Sequence, residues 1–199
     1  ISRRLLTDGS GPATVSTLIE AEVFAEAGVK DIIYAVGITP QKLDRVAAIR
    51  SKGCDLAVVL DSVAQAHAVA DASARLGLAI PALIELDCDG HRSGVVPGDP
   101  VLLEIGRVLH DGASELRGVL THAGESYEIQ GRHGHEIFAK QERDAAVQSA
   151  NALQDAGMPC PVVSIGSTPT AHSARKLDGV TEVRAGVYAF FDLVQAGIG

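Results

Sequence analysis

Apolar residues along this chain recur in short runs, and the stretches between the runs have helical spacing. Seven such runs, each bounded by turn residues, predict β-strands. They are Ala13–Ser16, Asp31–Val36, Leu56–Leu60, Ala82–Leu86, Gly118–His122, Pro161–Ile165 and Val183–Tyr188. Because the runs lack clean alternation of apolar and polar residues, we expect both faces of each strand to be buried, as in a parallel sheet.

The stretches between the strands carry helix start and stop signals. Thr17-Leu18-Ile19-Glu20 fits a capping box, and Gly28 follows as a stop. Further helices are predicted from Thr39-Pro40 to Gly53, from Asp61-Ser62 to Gly77 and from Asp99-Pro100 to Gly112. This strand–helix alternation predicts an α/β fold, either doubly wound or closed as a barrel, and we favour the barrel.

The chain length bears on how complete such a barrel is. A (β/α)8 barrel of the TIM type has eight strands and about 250 residues, whereas this chain has 199 residues. The opening segment Ile1-Ser2-Arg3-Arg4-Leu5-Leu6 is typical of the end of a helix. We therefore expect seven of the eight βα units, without the first strand, in a single domain over residues 1–199.

Composition narrows the classes of function. Hydrophobic residues make up 46% of the chain, and no apolar run approaches the length of a membrane span, so we expect a cytoplasmic protein. The three cysteines, Cys54, Cys88 and Cys160, have no short pair spacing, which argues against a disulfide framework and a zinc knuckle. A net charge of −8 with 4% aromatic residues argues against nucleic acid as a partner. A small-molecule site is the remaining expectation.

Polar residues follow several predicted strands at the edge where parallel sheets place their sites. Arg92 follows the strand Ala82–Leu86 and suits an oxyanion or phenolic oxygen, although a surface ion pair with Asp87 or Asp89 explains it equally well. His122 and Tyr127 follow the next strand and suit acid–base chemistry. A hydrogen-bonded structural role for His122 also remains open.

Two glycine-containing segments favour a phosphate site. Gly166-Ser167-Thr168-Pro169-Thr170 offers backbone N–H groups and hydroxyls after a strand, and Gly186 lies on the final strand. Ordinary turn and strand glycines are the alternative. His133 and His135 make a weak metal-ligand pair, so we predict a solvent-exposed loop there and assign no metal ligand.

Five segments together resemble the D-threonine aldolase and D-serine dehydratase-like family. The segments occur in the order found in that family, which gives the set its specificity, and they cover nearly all of the chain. They are Ala13–Glu22, Ile84–Val95, Thr121–Tyr127, Ser164–Thr170 and Thr181–Asp192. Members of this family are pyridoxal-phosphate enzymes of fold type III, with an alanine-racemase-type barrel.

The resemblance implies roles for the strand-end residues. Arg92 would contact the phenolic oxygen of the cofactor. His122, Ser126 and Tyr127 would line the cofactor ring or the substrate, with His122 and Tyr127 as the catalytic pair. Five residues would hold the phosphate, namely Gly166, Ser167, Thr168, Gly186 and Val187. Tyr188 would adjoin this part of the pocket.

The resemblance also implies parts that this chain does not supply. The lysine that forms an imine with the cofactor would precede Ile1, because the five lysines present lie in predicted helices or helix-flanking loops. A C-terminal β-domain, which binds divalent metal in metal-dependent members, would follow Gly199. We expect the complete protein to be a homodimer and the fragment alone to be inactive.

The expected activity is that of a lyase on D-3-hydroxy amino acids, with aldol cleavage placed ahead of dehydration. The alternatives are an amino-acid racemase of the same fold and a non-catalytic barrel that binds pyridoxal phosphate. The resemblance does not specify the side chain of the substrate.

Overall fold

A parallel β-sheet carries the fold. The computed structural model of the protein describes residues 12–90, 92–187 and 193–198. Its seven strands pair in chain order, and every pair whose register is described is parallel. The strands are β1 (Ala13–Val15), β2 (Asp31–Gly37), β3 (Asp55–Leu60), β4 (Pro81–Leu86), β5 (Glu115–Thr121), β6 (Val162–Ile165) and β7 (Glu182–Val183).

Helices alternate with these strands, which confirms the predicted α/β organisation. The α-helices are α1 (Leu18–Glu26), α2 (Leu43–Arg50), α3 (Val63–Leu76), α4 (Val101–Asp111), α5 (Arg132–Asp155), α6 (Thr168–Ser173) and α7 (Leu193–Ile198). Two short 3-10 helices, Pro40–Lys42 and Gly124–Tyr127, follow β2 and β5.

The helix ends follow from local side-chain chemistry. The Thr17 hydroxyl accepts the Glu20 N–H at 3.1 Å, and Glu20 Oε2 accepts the Thr17 N–H at 2.8 Å, which is the predicted capping box. Ser62 caps α3 in the same way by accepting the Gln65 N–H. Gly77 ends α3 in the left-handed conformation, with φ of 62°, which glycine adopts without steric cost.

The described residues fall into two compact units. The first comprises 12–83 with 104–117, and its buried strands contribute apolar residues such as Ile32, Leu56 and Val58 to the core. At the start of β3, Asp55 accepts hydrogen bonds from Arg50 at 2.7 Å and from Arg117 at 2.8 Å.

The second unit comprises 84–103 with the described residues from 118 onward. Within it β5, β6 and β7 run side by side, with Gly118 opposite Val162 and Ser164 opposite Glu182. A Cβ atom on Gly118 would lie 1.9 Å from the Val162 carbonyl oxygen, so this close strand contact requires glycine.

The segment after β4 makes a loop and then pairs, in the parallel direction, with the end of the same strand. Val95 pairs with Leu86 in a parallel bridge, and the Val95 N–H donates to the Glu85 carbonyl at 2.8 Å. Gly94 makes this pairing possible, because a Cβ atom there would lie 2.5 Å from the Asp87 nitrogen.

Two local predictions were wrong. The last strand ends at Val183, and Arg184, Ala185 and Gly186 have no regular structure, so it does not reach Val187; Tyr188 lies outside the described residues. The segment at His133 and His135 belongs to α5 and is no exposed loop. His135 is buried, and its Nε2 atom lies 2.9 Å from the Ile129 carbonyl oxygen.

The three cysteines are free thiols in the buried interior. Burial raises the pKa of the Cys88 thiol to about 12 and that of the Cys160 thiol to about 11, so both stay protonated. Across residues 12–90, 92–187 and 193–198, the structure contains no helix with the length and apolar character that crossing a bilayer requires.

Candidate functional site

The candidate site lies in the second unit, at the carboxyl ends of β5, β6 and β7. His122 directly follows β5, Gly166 directly follows β6 and Arg184 directly follows β7. Because the three strands are parallel and adjacent, the segments that follow them meet at one edge of the sheet. The predicted gathering of polar strand-end residues is therefore present at this edge.

The His122 imidazole and the Tyr127 phenol stack on each other. Their ring centroids are 5.9 Å apart and their planes are inclined by 15°. Burial and the positive charges of Arg92 and Arg184 together lower the pKa of His122 to about 4, against a hydrogen bond with the Gly166 backbone that raises it. His122 is therefore neutral at physiological pH.

Backbone hydrogen bonds join the segments after the three strands. The Thr168 N–H donates to the Tyr127 hydroxyl at 3.4 Å, and the Val187 N–H donates to the Thr168 hydroxyl at 3.3 Å. Both distances are long for hydrogen bonds of this kind. An incoming anion could therefore take over either N–H at little cost.

The same segments leave room for a ligand. A Cβ atom built on Gly186 would meet no atom within 4 Å, so open space lies beside its backbone. Two weakly held N–H groups, neighbouring hydroxyls and this space form a donor set that fits a phosphate group. By this criterion the residues present fit the phosphate of pyridoxal phosphate.

A line of buried oxygen atoms lies behind these loops. Ser126 Oγ contacts the Ala123 carbonyl oxygen at 2.7 Å and Ser167 Oγ at 2.8 Å. Ser167 Oγ contacts Thr170 Oγ1 at 2.8 Å, which in turn contacts Glu142 Oε2 at 2.7 Å. We call the hydroxyls of Ser126, Ser167 and Thr170 the hydroxyl chain. It links the β5 loop to the β6 loop.

Glu142 is a site residue that the sequence reasoning missed. Its Oε1 atom accepts the Ala123 N–H at 2.8 Å and the Gly166 N–H at 3.1 Å, so one carboxyl group ties the residues after β5 and β6 together. The available signal was a charged residue on the apolar face of a helix. Glu142 lies between buried Ala139 and Ala146, at helical spacing from both.

Arg184 is the second residue that was not assigned a role. Its guanidinium donates to the Thr121 carbonyl oxygen at 2.6 Å and to the Ser164 hydroxyl, and Ser164 in turn donates to Glu182. A Cβ atom on Gly166 would lie 2.0 Å from the Arg184 carbonyl oxygen. Both the guanidinium and the glycine thus hold the ends of β5, β6 and β7 close together.

Arg92 is exposed, on the loop between β4 and the parallel bridge at Val95. Its charge acts on the pKa of His122, which places its guanidinium within electrostatic reach of the site. The Asp87 carboxylate accepts the Gly90 N–H at 2.9 Å, and Asp89 accepts the Glu125 N–H at 2.9 Å. Both carboxylates therefore fix nearby backbone N–H groups through these hydrogen bonds.

The structure brings most of the predicted site residues together. One linked set contains His122, Ser126, Tyr127, Gly166, Ser167, Thr168 and Val187. Gly186 borders the open space beside this set. Arg92 lies near enough to this set for its positive charge to lower the pKa of His122. Tyr188, which was also predicted to belong to the site, lies outside the described residues.

The lysines have other surroundings. Lys42 ends the 3-10 helix after β2 and donates to the Tyr34 hydroxyl at 2.6 Å, in the first unit. Lys140 pairs with Asp144 on α5. Across the part of the chain that the structure describes, His, Cys, Asp and Glu side chains form no group of three or more suited to a metal ion.

The chain is similar to several known proteins. Residues 1–194 match the profile of the alanine racemase N-terminal domain. The D-threo-3-hydroxyaspartate dehydratase of Delftia sp. (strain HT23) is 56% identical over 192 residues, covering 96% of this chain and 50% of that protein. Its solved structure superimposes with a TM-score of 0.94, at 55% identity, and covers 96% of this chain and 51% of the solved one.

A more distant relative is the D-threonine aldolase of an Arthrobacter species. It is 26% identical over 194 residues, covering 96% of this chain and 51% of that protein. The chain thus spans about half the length of these relatives.

Proposed function

Because the chain belongs to the alanine racemase N-terminal domain family, we propose that it is part of a pyridoxal-phosphate-dependent lyase acting on D-3-hydroxy amino acids. The observation that carries this proposal is the 56% identity to a D-threo-3-hydroxyaspartate dehydratase, sustained over 96% of the chain. The identity to the aldolase relative is 26%, which is less than half of that value. We therefore place dehydration ahead of aldol cleavage, and 3-hydroxyaspartate first among substrates.

The strand-end loops are the proposed phosphate site. The N–H groups of Thr168 and Val187 would turn to the phosphate oxygens from their present long hydrogen bonds. The Ser167 and Thr168 hydroxyls lie beside them, and the backbone of Gly166 and Gly186 gives the phosphate room to approach. The proline at position 169 removes one backbone donor, so the hydroxyls carry a larger share of the contacts.

The rest of the site would be formed by Arg92, His122, Ser126 and Tyr127. The Arg92 guanidinium would bind the phenolic oxygen of the cofactor, because its N–H groups donate hydrogen bonds in a geometry that suits an anionic oxygen. Neutral His122 would lie against the ring without adding a second charge. Ser126, through its bond to Ser167, would hold the phosphate loop. His122 and Tyr127 are the proposed groups for proton movement near the substrate.

The two candidate reactions differ in which proton a protein base removes. Bound pyridoxal phosphate supplies an electron sink next to the substrate α-carbon. If the base takes the α-proton and the β-hydroxyl leaves, the products are a keto acid and ammonia. If the base takes the hydroxyl proton and the Cα–Cβ bond breaks, the products are glycine and an aldehyde.

The test uses the complete natural protein with pyridoxal phosphate and D-threo-3-hydroxyaspartate. The proposal predicts oxaloacetate and ammonia in equal amounts. Formation of glyoxylate and glycine would instead show that the protein is an aldolase. Formation of the diastereomer that is inverted at the α-carbon, without a carbonyl product, would support a racemase instead. If the protein binds the cofactor but changes neither this substrate nor D-threonine, D-serine and their analogues, the result would support the alternative of a non-catalytic barrel.

The remaining features of the complete protein are also proposals. We place the two units in one pyridoxal-phosphate-binding domain, with a (β/α)8 barrel as its full architecture. By the family resemblance, the complete protein is a homodimer and binds a divalent metal through a C-terminal domain. A cytoplasmic location would keep its three buried thiols reduced. Sedimentation and metal analysis of the complete protein test the dimer and the metal.

A further inference from the structure

The line of oxygen atoms behind the strand-end loops requires a fixed number of protons to form its hydrogen bonds. It contains four contacts, from the Ala123 carbonyl through Ser126, Ser167 and Thr170 to Glu142, at 2.7, 2.8, 2.8 and 2.7 Å. Each distance is that of an O–H···O hydrogen bond, and each such bond needs one proton between its oxygens.

The hydroxyl chain supplies one proton fewer than this line requires. Each of its three hydroxyls carries a single proton, and the carbonyl at the far end carries none. If Glu142 were a carboxylate, one of the four contacts would bring lone pairs together without a proton. Solvent does not make up the difference, because Ser126, Ser167, Thr170 and Glu142 are each at most 2% exposed.

The two oxygens of Glu142 have the surroundings of a protonated carboxyl group. Oε1 accepts two backbone N–H groups, as a carbonyl oxygen does, while Oε2 meets the Thr170 hydroxyl. Burial raises the pKa of Glu142, outweighing the lowering by its hydrogen bonds and by the charge of Arg184. The proton count and the environment thus agree.

We propose that Glu142 is a positioning residue for the phosphate-binding loops and acts as a neutral carboxylic acid that donates its proton to Thr170. Every bond of the line then runs in one direction, from Glu142 through Thr170, Ser167 and Ser126 to the Ala123 carbonyl. The loops are tied together without a buried negative charge behind the phosphate. The positioning role rests on the proposed function; the protonation state does not.

The first test compares substitutions at Glu142 in the complete protein by titration with pyridoxal phosphate. Glu142→Met keeps the volume but removes the proton and the acceptor, and we expect about tenfold weaker binding from the lost hydrogen bonds. Glu142→Gln accepts with its oxygen and donates with its nitrogen, as the neutral acid does. It should restore most of the affinity that methionine loses. Asp155→Asn, an exposed acid on the same helix, is the matched control and should bind as the wild type does.

Thr170 gives an independent variant should Glu142→Met fail to fold. Thr170→Val interrupts the line at its second member and should weaken pyridoxal phosphate binding to a similar extent. Thr170→Ser keeps the hydroxyl and should restore it. Wild-type affinity in Thr170→Val would overturn the positioning role. Glu142→Gln as weak as Glu142→Met would overturn the neutral acid.

Infrared spectroscopy decides the protonation state without any cofactor. The difference spectrum of wild type minus Glu142→Gln should contain the carbonyl band of a protonated carboxylic acid. Carboxylate bands in its place would overturn the proposal. A wild-type protein that binds no pyridoxal phosphate would overturn the proposed function and the positioning role, while the infrared band would still report on the proton.

Discussion

The imidazole of His122 and the phenol of Tyr127 stack with ring centroids 5.9 Å apart, at an angle of 15°. The Tyr127 hydroxyl at the same time accepts the N–H of Thr168, from the loop after β6. One side chain thus joins a neutral imidazole to the proposed phosphate loop. In the proposed cofactor site, Tyr127 would therefore couple the contacts to the cofactor ring with the contacts to the phosphate.

Tyr127→Phe separates the two functions of this side chain. The variant keeps the ring stacked on His122 but removes the oxygen at the Thr168 N–H. We expect pyridoxal phosphate to bind a few-fold more tightly, because the Thr168 N–H no longer has to give up one neutral hydrogen bond before it binds the phosphate, and we expect unchanged thermal stability. The measurement is a cofactor titration of the complete protein.

The control for Tyr127→Phe is the same change at Tyr34, whose hydroxyl meets Lys42 in the first unit. Tyr34→Phe should leave cofactor affinity as in the wild type. Equal affinity in both variants would contradict a role for the Tyr127 hydroxyl at the phosphate.

The lowered pKa of His122 predicts a pH dependence of stability. Burial and the charges of Arg92 and Arg184 bring this pKa to about 4, below the ordinary value of 6.5. An unfolded chain therefore binds the proton more readily than the folded protein between these values. The contribution of His122 to stability is complete above pH 6.5 and is lost as the pH falls toward 4.

Urea unfolding at a series of pH values measures this dependence. His122→Asn has no proton to gain, so its free energy of unfolding should fall less steeply than that of the wild type between pH 6.5 and 4. His110→Asn, on α4, is the comparison. Parallel curves for wild type and His122→Asn would mean that the imidazole is not held neutral by its surroundings.

Gly166 should tolerate no side chain. A Cβ atom there would lie 2.0 Å from the Arg184 carbonyl oxygen, and its φ of 145° strains any other residue. We expect Gly166→Ala to lower the free energy of unfolding by about 3 kcal/mol or more, because backbone must shift at β6 and β7.

Gly186→Ala is the matched control for this glycine, since its Cβ atom would enter open space. The change in its free energy of unfolding should stay within about 0.5 kcal/mol. Chemical denaturation of the two variants side by side checks both expectations. A Gly166→Ala protein as stable as Gly186→Ala would contradict the close contact between β6 and β7.

Thr121 holds the end of β5 to the end of β4. Its hydroxyl is fully buried and donates to the Leu86 carbonyl at 2.9 Å. Thr121→Val leaves that carbonyl without this donor, so we expect a loss of about 1 to 3 kcal/mol in the free energy of unfolding. Thr14→Val, at an exposed position of β1, should change it little. Equal stability of the two variants would argue against the Thr121 hydrogen bond.

The sequence was sufficient for the features that depend on local chemistry. The capping box of Thr17 and Glu20 and the stop at Gly77 arise from neighbouring residues, so their patterns are readable without a structure. The strand-end position of His122 and Gly166 follows from the strand–helix alternation alone. The family resemblance then supplied a role for each.

Features that depend on distant residues were beyond such patterns. Glu142 lies 19 residues from Ala123 and 24 from Gly166, and only the packing of α5 brings them together. Gly134 lies in the loop predicted at His133 and His135, and glycine disfavours helices. In the structure it admits the Ile129 side chain, since a Cβ atom there would lie 2.4 Å from Ile129 Cγ2. Long-range contacts therefore decided the role of Glu142, whereas the helical position of Gly134 depends on the packing of a side chain five residues earlier.

A crystal structure of the complete natural protein with pyridoxal phosphate would locate the cofactor. We expect the phosphate at the ends of β6 and β7, accepting hydrogen bonds from the N–H groups of Thr168 and Val187, with the ring beside His122. Cofactor density at another edge of the sheet, with the Thr168 N–H still bound to the Tyr127 hydroxyl, would contradict this expectation.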